Sequence, residues 1–128
     1  MMAVMKMVTV FWLTIIVLVV AGVGSSFLIQ QTPGKYDALA QCLKDKGVTF
    51  YGAFWCPHCQ KQKRLFGRSA DLLPYVECST PDGKGQLQGC IDKGITNYPT
   101  WDFPDGSRVT GEVSLADLAQ KSGCMLPE

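Results

Sequence analysis

Hydrophobic and polar positions divide this chain into two very different stretches. Between Met7 and Ile29 no residue carries a charge, and apolar side chains such as Phe11, Trp12, Ile15 and Val19 fall on every face of a helix. At 1.5 Å per residue that helix would be roughly 34 Å long, against a bilayer core of about 30 Å. A soluble domain of this size has no use for a helix that is apolar all round. The pattern predicts a transmembrane anchor over 7–29 behind a short tail, 1–6. The competing reading is a cleaved signal peptide, with Lys6 as its charged region and Gly24-Ser25-Ser26 as small residues for cleavage. The apolar run continues through Phe27-Leu28-Ile29, which favours the anchor. Both readings export the remainder of the chain, a polar linker over 30–34 and a globular module over 35–128.

Within the module the periodicity changes from element to element. Tyr36, Leu39, Ala40 and Leu43 fall at helical spacing, and Gly47 stops that helix after Lys46. Val48–Phe54 is β-branched and aromatic, a buried strand. Pro57 then opens a helix predicted to reach Ala70. Leu73–Cys78 reads as a second strand, Gln86–Lys93 as a short helix ended by Gly94. Thr100–Phe103 and Arg108–Thr110 form a hairpin around Pro104-Asp105-Gly106. The last helix runs Ser114–Lys121, with Ser114 as its cap, Asp117 three residues on and Gly123 as its stop. The order predicts an α/β fold with a parallel central strand pair and an antiparallel edge.

Charge and composition narrow the function. Lys6 is the only charged side chain before Lys35, and 12 basic against 11 acidic residues leave a net charge of +1. No basic field points to nucleic acid. Six cysteines in so short a module point to an oxidising compartment or a metal site.

Cys56-Pro57-His58-Cys59 lies at the junction of the first strand and the second helix of the module. A helix N-terminus offers unpaired N–H groups and partial positive charge, which favour a thiolate at Cys56. Cys59, one turn in, is expected to be more buried and to keep its proton. His58 adds a polarisable neighbour, and a stabilised thiolate would make the disulfide of this pair an oxidant. The alternative is half of a zinc site. It lacks a second close pair, because Cys78 and Cys90 are too far apart for a knuckle and His58 is the sole histidine. No metal or cofactor is expected. Lys61, Lys63, Arg64 and Arg68 read as a solvated helix face. Tyr98-Pro99-Thr100 is a second mark, a candidate cis peptide just before a strand.

Phe54-Trp55-Cys56-Pro57-His58-Cys59 together with Tyr98-Pro99-Thr100-Trp101 resembles the thioredoxin superfamily. The stretch from Tyr51 to Gly123 most resembles the thioredoxin-like domain attached to bacterial homologues of vitamin K epoxide reductase. Its matching pieces include Leu-Pro-Tyr-Val-Glu-Cys, Gly-Ile-Thr-Asn-Tyr-Pro-Thr-Trp and Ser-Leu-Ala-Asp-Leu-Ala. The resemblance implies a thioredoxin fold, a redox-active pair Cys56/Cys59 supported by Trp55, Pro57 and His58, and a cis-Pro99 loop lying against Cys56 to bind extended peptide. Trp55, Tyr98 and Trp101 are expected to frame an apolar groove, although Trp55 and Trp101 would serve equally as core packing. The four-helix quinone-reducing domain of those homologues is not in this sequence, so reoxidation would fall to a partner. Where cytosolic thioredoxins carry a buried aspartate six positions before the first active cysteine, this chain has Phe50.

With Cys56 and Cys59 paired, three pairings of the other four cysteines remain. Cys78 and Cys90 bracket the Pro-Asp-Gly loop, and the family carries a similar second pair there. A bridge between them is worth roughly 3 kcal/mol in the chain-entropy model. Cys42 and Cys124 are then left to each other, stapling the ends of the module. The alternatives are free buried thiols at Cys42 and Cys124, and a second redox pair at Cys78/Cys90. The expected activity is that of a membrane-tethered thiol–disulfide oxidoreductase promoting disulfide formation in exported cysteine-containing proteins. Its catalytic domain would lie on the extracytoplasmic side, or be secreted after cleavage. The expected redox partner is a membrane protein such as a vitamin K epoxide reductase-like protein. The competing readings are a reductase or isomerase fed by a membrane partner, and a non-catalytic client-binding module.

Overall fold

The computed structural model describes every residue except Gln31, and the side chains of all described residues except 3–4 and 26–30. The chain forms two compact units, Met1–Thr32 and Pro33–Glu128. Of the 30–34 linker, Gln31 lies outside the described residues.

The first unit is one helix, α1 (Met2–Gln30). Its segment Met5–Ser25 is long and apolar enough to cross a membrane, a test that a signal sequence also passes. Its described side chains are almost all exposed, as expected of a helix with no polar face to turn outward.

The second unit is a four-stranded sheet with helices packed on it. α2 (Asp37–Asp45) buries Leu39, Ala40 and Leu43, the stripe that the spacing predicts. Gly47, at φ +79°, turns the chain into β1 (Thr49–Gly52). α3 (Pro57–Phe66) follows. It stops four residues short of the predicted Ala70, because Gly67 takes φ +55° and the chain tightens into a 3₁₀ turn over Gly67–Leu72. β2 (Tyr75–Glu77), α4 (Gln88–Asp92), β3 (Thr100–Asp102), β4 (Arg108–Thr110) and α5 (Leu115–Ser122) complete the unit.

The strand order is β2-β1-β3-β4. β1 pairs parallel with β2, and β1–β3 and β3–β4 are antiparallel, the predicted mixture of a parallel pair and an antiparallel edge. Phe50 lies directly opposite Trp101 across β1 and β3, and their rings stack 4.4 Å apart, both wholly buried. This pair centres a core that takes in Leu39, Leu43, Phe66 and Leu118. The Ser114 hydroxyl accepts the Asp117 N–H at 3.1 Å, capping α5 as its sequence predicts. Disulfides join Cys42 to Cys124 and Cys78 to Cys90. A mixed sheet flanked by helices in this order is a thioredoxin-like fold.

Candidate active site

The site grows out of the turn between β1 and α3. Cys56 is the N-cap of α3, and its backbone N–H closes the turn onto the Ala53 carbonyl at 3.0 Å. Pro57 takes the first helical position, where a missing N–H costs nothing. The Cys59 N–H, an orphan donor of the first turn, donates to Cys56 Sγ at 3.3 Å. The two cysteines are free thiols, and both are buried. Burial first, and then the hydrogen bond with the Cys56 sulfur, pushes the Cys59 thiol up to about 12 from an ordinary 9.0. Cys59 therefore holds its proton, while Cys56 sits at the helix end.

Facing Cys56 is the loop before β3. The Tyr98–Pro99 bond is cis, and the Tyr98 carbonyl oxygen lies 3.8 Å from Cys56 Sγ. Gln86 holds this loop by donating to the Ile95 carbonyl and to the Tyr98 hydroxyl, each at 2.7 Å. Trp55 is 49% exposed beside Phe54 at 51%; its indole N–H donates to the Ser79 hydroxyl at 2.8 Å, and its ring meets Tyr98 edge-on at 6.1 Å. Ser79 and Gln86 both lie in the segment closed by the Cys78–Cys90 bridge, so one short ring supports both aromatic side chains. Trp101 does not join them. It is wholly buried against Phe50, so the expectation that it lines a peptide groove is corrected to core packing.

His58 points outward and is bonded through Nδ1 to Glu112 at 2.7 Å, while Lys61 reaches the other Glu112 oxygen at 2.7 Å. Lys61, and then His58, hold the Glu112 carboxyl below the usual carboxylate range. The basic face of α3 is thus not wholly solvated. Lys61 is paired, and Lys63 Nζ sits 3.3 Å from the centre of the Tyr75 ring.

Sequence reasoning missed three further residues. Gln62 is wholly buried; its amide donates to the Val113 carbonyl at 2.9 Å and accepts the Val113 N–H at 2.7 Å. The signal was its place on the buried stripe Cys59–Gln62–Phe66, where an amide needs partners. Just before Val113, the Gly111 N–H donates to the Pro99 carbonyl at 2.8 Å. Residues 111–113 therefore fasten α3 to the Pro99 loop. Glu77 and Tyr75, at the two ends of β2, are the others. Glu77 accepts the N–H groups of Phe54 and Ser79 on one oxygen and the Tyr75 hydroxyl on the other.

No protein-family model matches the chain. Its sequence is 47% identical over 96 residues to the thiol-disulfide oxidoreductase LTO1 of Arabidopsis thaliana, covering 71% of this chain and 25% of that protein. It is 32% identical over 104 residues to a thioredoxin domain-containing protein 5 homolog of Drosophila melanogaster, covering 70% of this chain and 24% of that protein. The chain thus spans about a quarter of the length of these curated relatives. The fold and these similarities support placing the chain in the thioredoxin superfamily, and the relatives' names together with the cysteine pairs support a redox function.

Proposed function

We propose that this protein is a thiol–disulfide oxidoreductase that works through Cys56 and Cys59, is held at a membrane by α1, and promotes disulfide formation in exported proteins. The observation that carries this reading is the placement of two free, buried thiols at the start of α3, with Cys56 Sγ 3.8 Å from the Tyr98 carbonyl of the cis-Pro99 loop.

In the oxidised protein, a substrate thiolate attacks Cys56 Sγ of the Cys56–Cys59 disulfide. The Cys56–Cys59 bond breaks, a mixed disulfide forms at Cys56, and Cys59 takes up a proton. Its high proton affinity keeps it from attacking back at once. A second substrate thiolate then attacks its partner sulfur, and Cys56 leaves. The substrate has lost two electrons and the protein has gained them. Reoxidation needs an acceptor, for which a membrane redox partner such as a vitamin K epoxide reductase-like protein is suited. Trp55 and Phe54, half exposed beside Cys56, offer apolar contact to an unfolded client, while Tyr98, ahead of the buried Pro99, supplies backbone.

The test is the reduction potential of the Cys56/Cys59 pair, measured on the full chain in detergent. A value near about −120 mV supports an oxidant, and one near about −270 mV makes it a reductant. Cys56→Ala should abolish thiol oxidation of a reduced, unfolded client. Full retention of that activity would reject the site.

A further inference from the structure

His58 is the second residue of α3, and its side chain is 70% exposed while that of Cys59 turns into the core. Its ring is nonetheless held. Nδ1 bonds Glu112 Oε1 at 2.7 Å, and Lys61 Nζ takes the other carboxylate oxygen at 2.7 Å. These two partners, Lys61 first, keep Glu112 ionised. An ionised carboxylate only accepts, so the proton of the His58–Glu112 bond belongs to Nδ1. In the neutral ring Nε2 then carries a lone pair, and it has no partner among the described residues. Glu112 is fixed from both sides: the Gly111 N–H donates to the Pro99 carbonyl, and the Val113 N–H donates to Gln62 of α3. The other charged groups about it are Asp117 and Lys121 of α5, which line the same shallow cavity as Glu112.

A client thiol needs such a base. The thiolate is the nucleophile, yet an ordinary cysteine, with a pKa of about 8.5, is mostly protonated at pH 7. Thiol–disulfide exchange runs in line, so a client sulfur must approach Cys56 from the side away from the buried Cys59, which is the solvent side. A carboxylate that fixes one imidazole nitrogen and leaves the other free is the arrangement by which enzymes activate hydroxyl and thiol nucleophiles. We propose that His58 is the general base for client thiols attacking Cys56, and that Glu112 is its positioning residue. The proposal deepens, and rests on, the reading of Cys56/Cys59 as the redox pair. The client S–H gives its proton to His58 Nε2 as the client sulfur attacks Cys56 Sγ. The new S–S bond forms, the Cys56–Cys59 bond breaks, and Cys59 leaves with the bonding electrons and takes up a proton. The imidazolium, paired with Glu112, then releases its proton to water.

The experiment is single-turnover reduction of the oxidised full chain, in detergent at pH 7, by two thiols in excess. One is a short unstructured cysteine peptide, mostly protonated; the other is 4-mercaptobenzoate, an aromatic thiol mostly ionised at that pH. Acid quench, alkylation and mass read the loss of the Cys56–Cys59 disulfide. His58→Asn keeps an N–H for Glu112 and removes the base. It should slow the peptide at least about tenfold and change mercaptobenzoate less than about twofold, because an ionised thiol has no proton to give. Glu112→Gln should also slow the peptide selectively, and should add nothing in the His58→Asn background. A loss shared equally by the two thiols would mean that His58 acts on the Cys56–Cys59 bond through its charge, and would overturn the proposal. An unchanged peptide rate in His58→Asn would overturn it too, and independent, multiplying effects of the two substitutions would overturn the role of Glu112. An oxidised parent inert to both thiols would instead overturn the Cys56/Cys59 reading.

Discussion

Replacing Gln62 by leucine should remove a fastening that the fold cannot rebuild. The Gln62 amide satisfies both backbone groups of Val113, which is itself buried. Leucine fits the space but leaves that N–H and that carbonyl without partners. Each stranded group costs roughly 1–3 kcal/mol. Burying the leucine side chain returns at most about 1.5–3 kcal/mol. At mid-range values, about 4 against about 2, the expected net loss is about 2 kcal/mol. A domain of this size has a total stability of roughly 5–14 kcal/mol. With a urea slope of about 1 kcal/mol per molar, the unfolding midpoint should drop by about 2 M. Tryptophan fluorescence reads the transition, without reductant so that both structural disulfides stay closed. Activity should fall as well, since residues 111–113 join α3 to the Pro99 carbonyl. A midpoint shift below about 0.3 M with unchanged slope would refute the reasoning, because it would mean that Val113 finds other partners.

The two structural bridges should differ in worth. Their sequence separations are 82 for Cys42–Cys124 and 12 for Cys78–Cys90. The chain-entropy model then assigns roughly 4.5 and 3 kcal/mol respectively. Urea unfolding of C42A/C124A and C78A/C90A should rank them in that order, and the reverse order would contradict it. Cys59, with its thiol pushed up to about 12, should resist iodoacetamide at pH 7–9 and become reactive only as pH approaches that value, as peptide mass mapping would show. The same shift fixes a stability trend for the reduced protein. Because the folded form holds this proton more tightly than the unfolded one, its contribution is whole below pH 9 and is lost as pH rises from 9 towards about 12. Cys59→Ala should flatten alkaline destabilisation over that window; an identical alkaline profile would count against it.

Local signals were readable wherever a contact lies within a few residues. The cap at Ser114, the stop at Gly47 and the strand-to-helix junction at Cys56 are all short-range devices, and each leaves its mark in adjacent residue types. What escaped reading depends on pairing across the chain. Trp55 and Trp101 are equally plausible platform residues until the β1–β3 register sets Trp101 opposite Phe50. Lys61 and Lys63 look like a wet helix face until β2 and the segment after β4 bring Tyr75 and Glu112 to them. The premature end of α3 was foreshadowed only by Gly67, a residue that helices tolerate at a cost of about 1 kcal/mol. Glu77 escaped because the Phe54 N–H that it accepts lies across the β1–α3–β2 crossover, although its other partners, Tyr75 and Ser79, are close in sequence.

Three consecutive residues after β4 each grip something different: Gly111 the Pro99 carbonyl, Glu112 the side chains of His58 and Lys61, and Val113 the amide of Gln62. The Pro99 loop and the helix that carries the two free cysteines therefore hang from a single bracket. In the proposed reaction, whatever shifts that bracket changes substrate approach and sulfur chemistry together. Selection on the hairpin, some fifty residues from the thiols in sequence, would act on both traits at once and could hardly tune them apart.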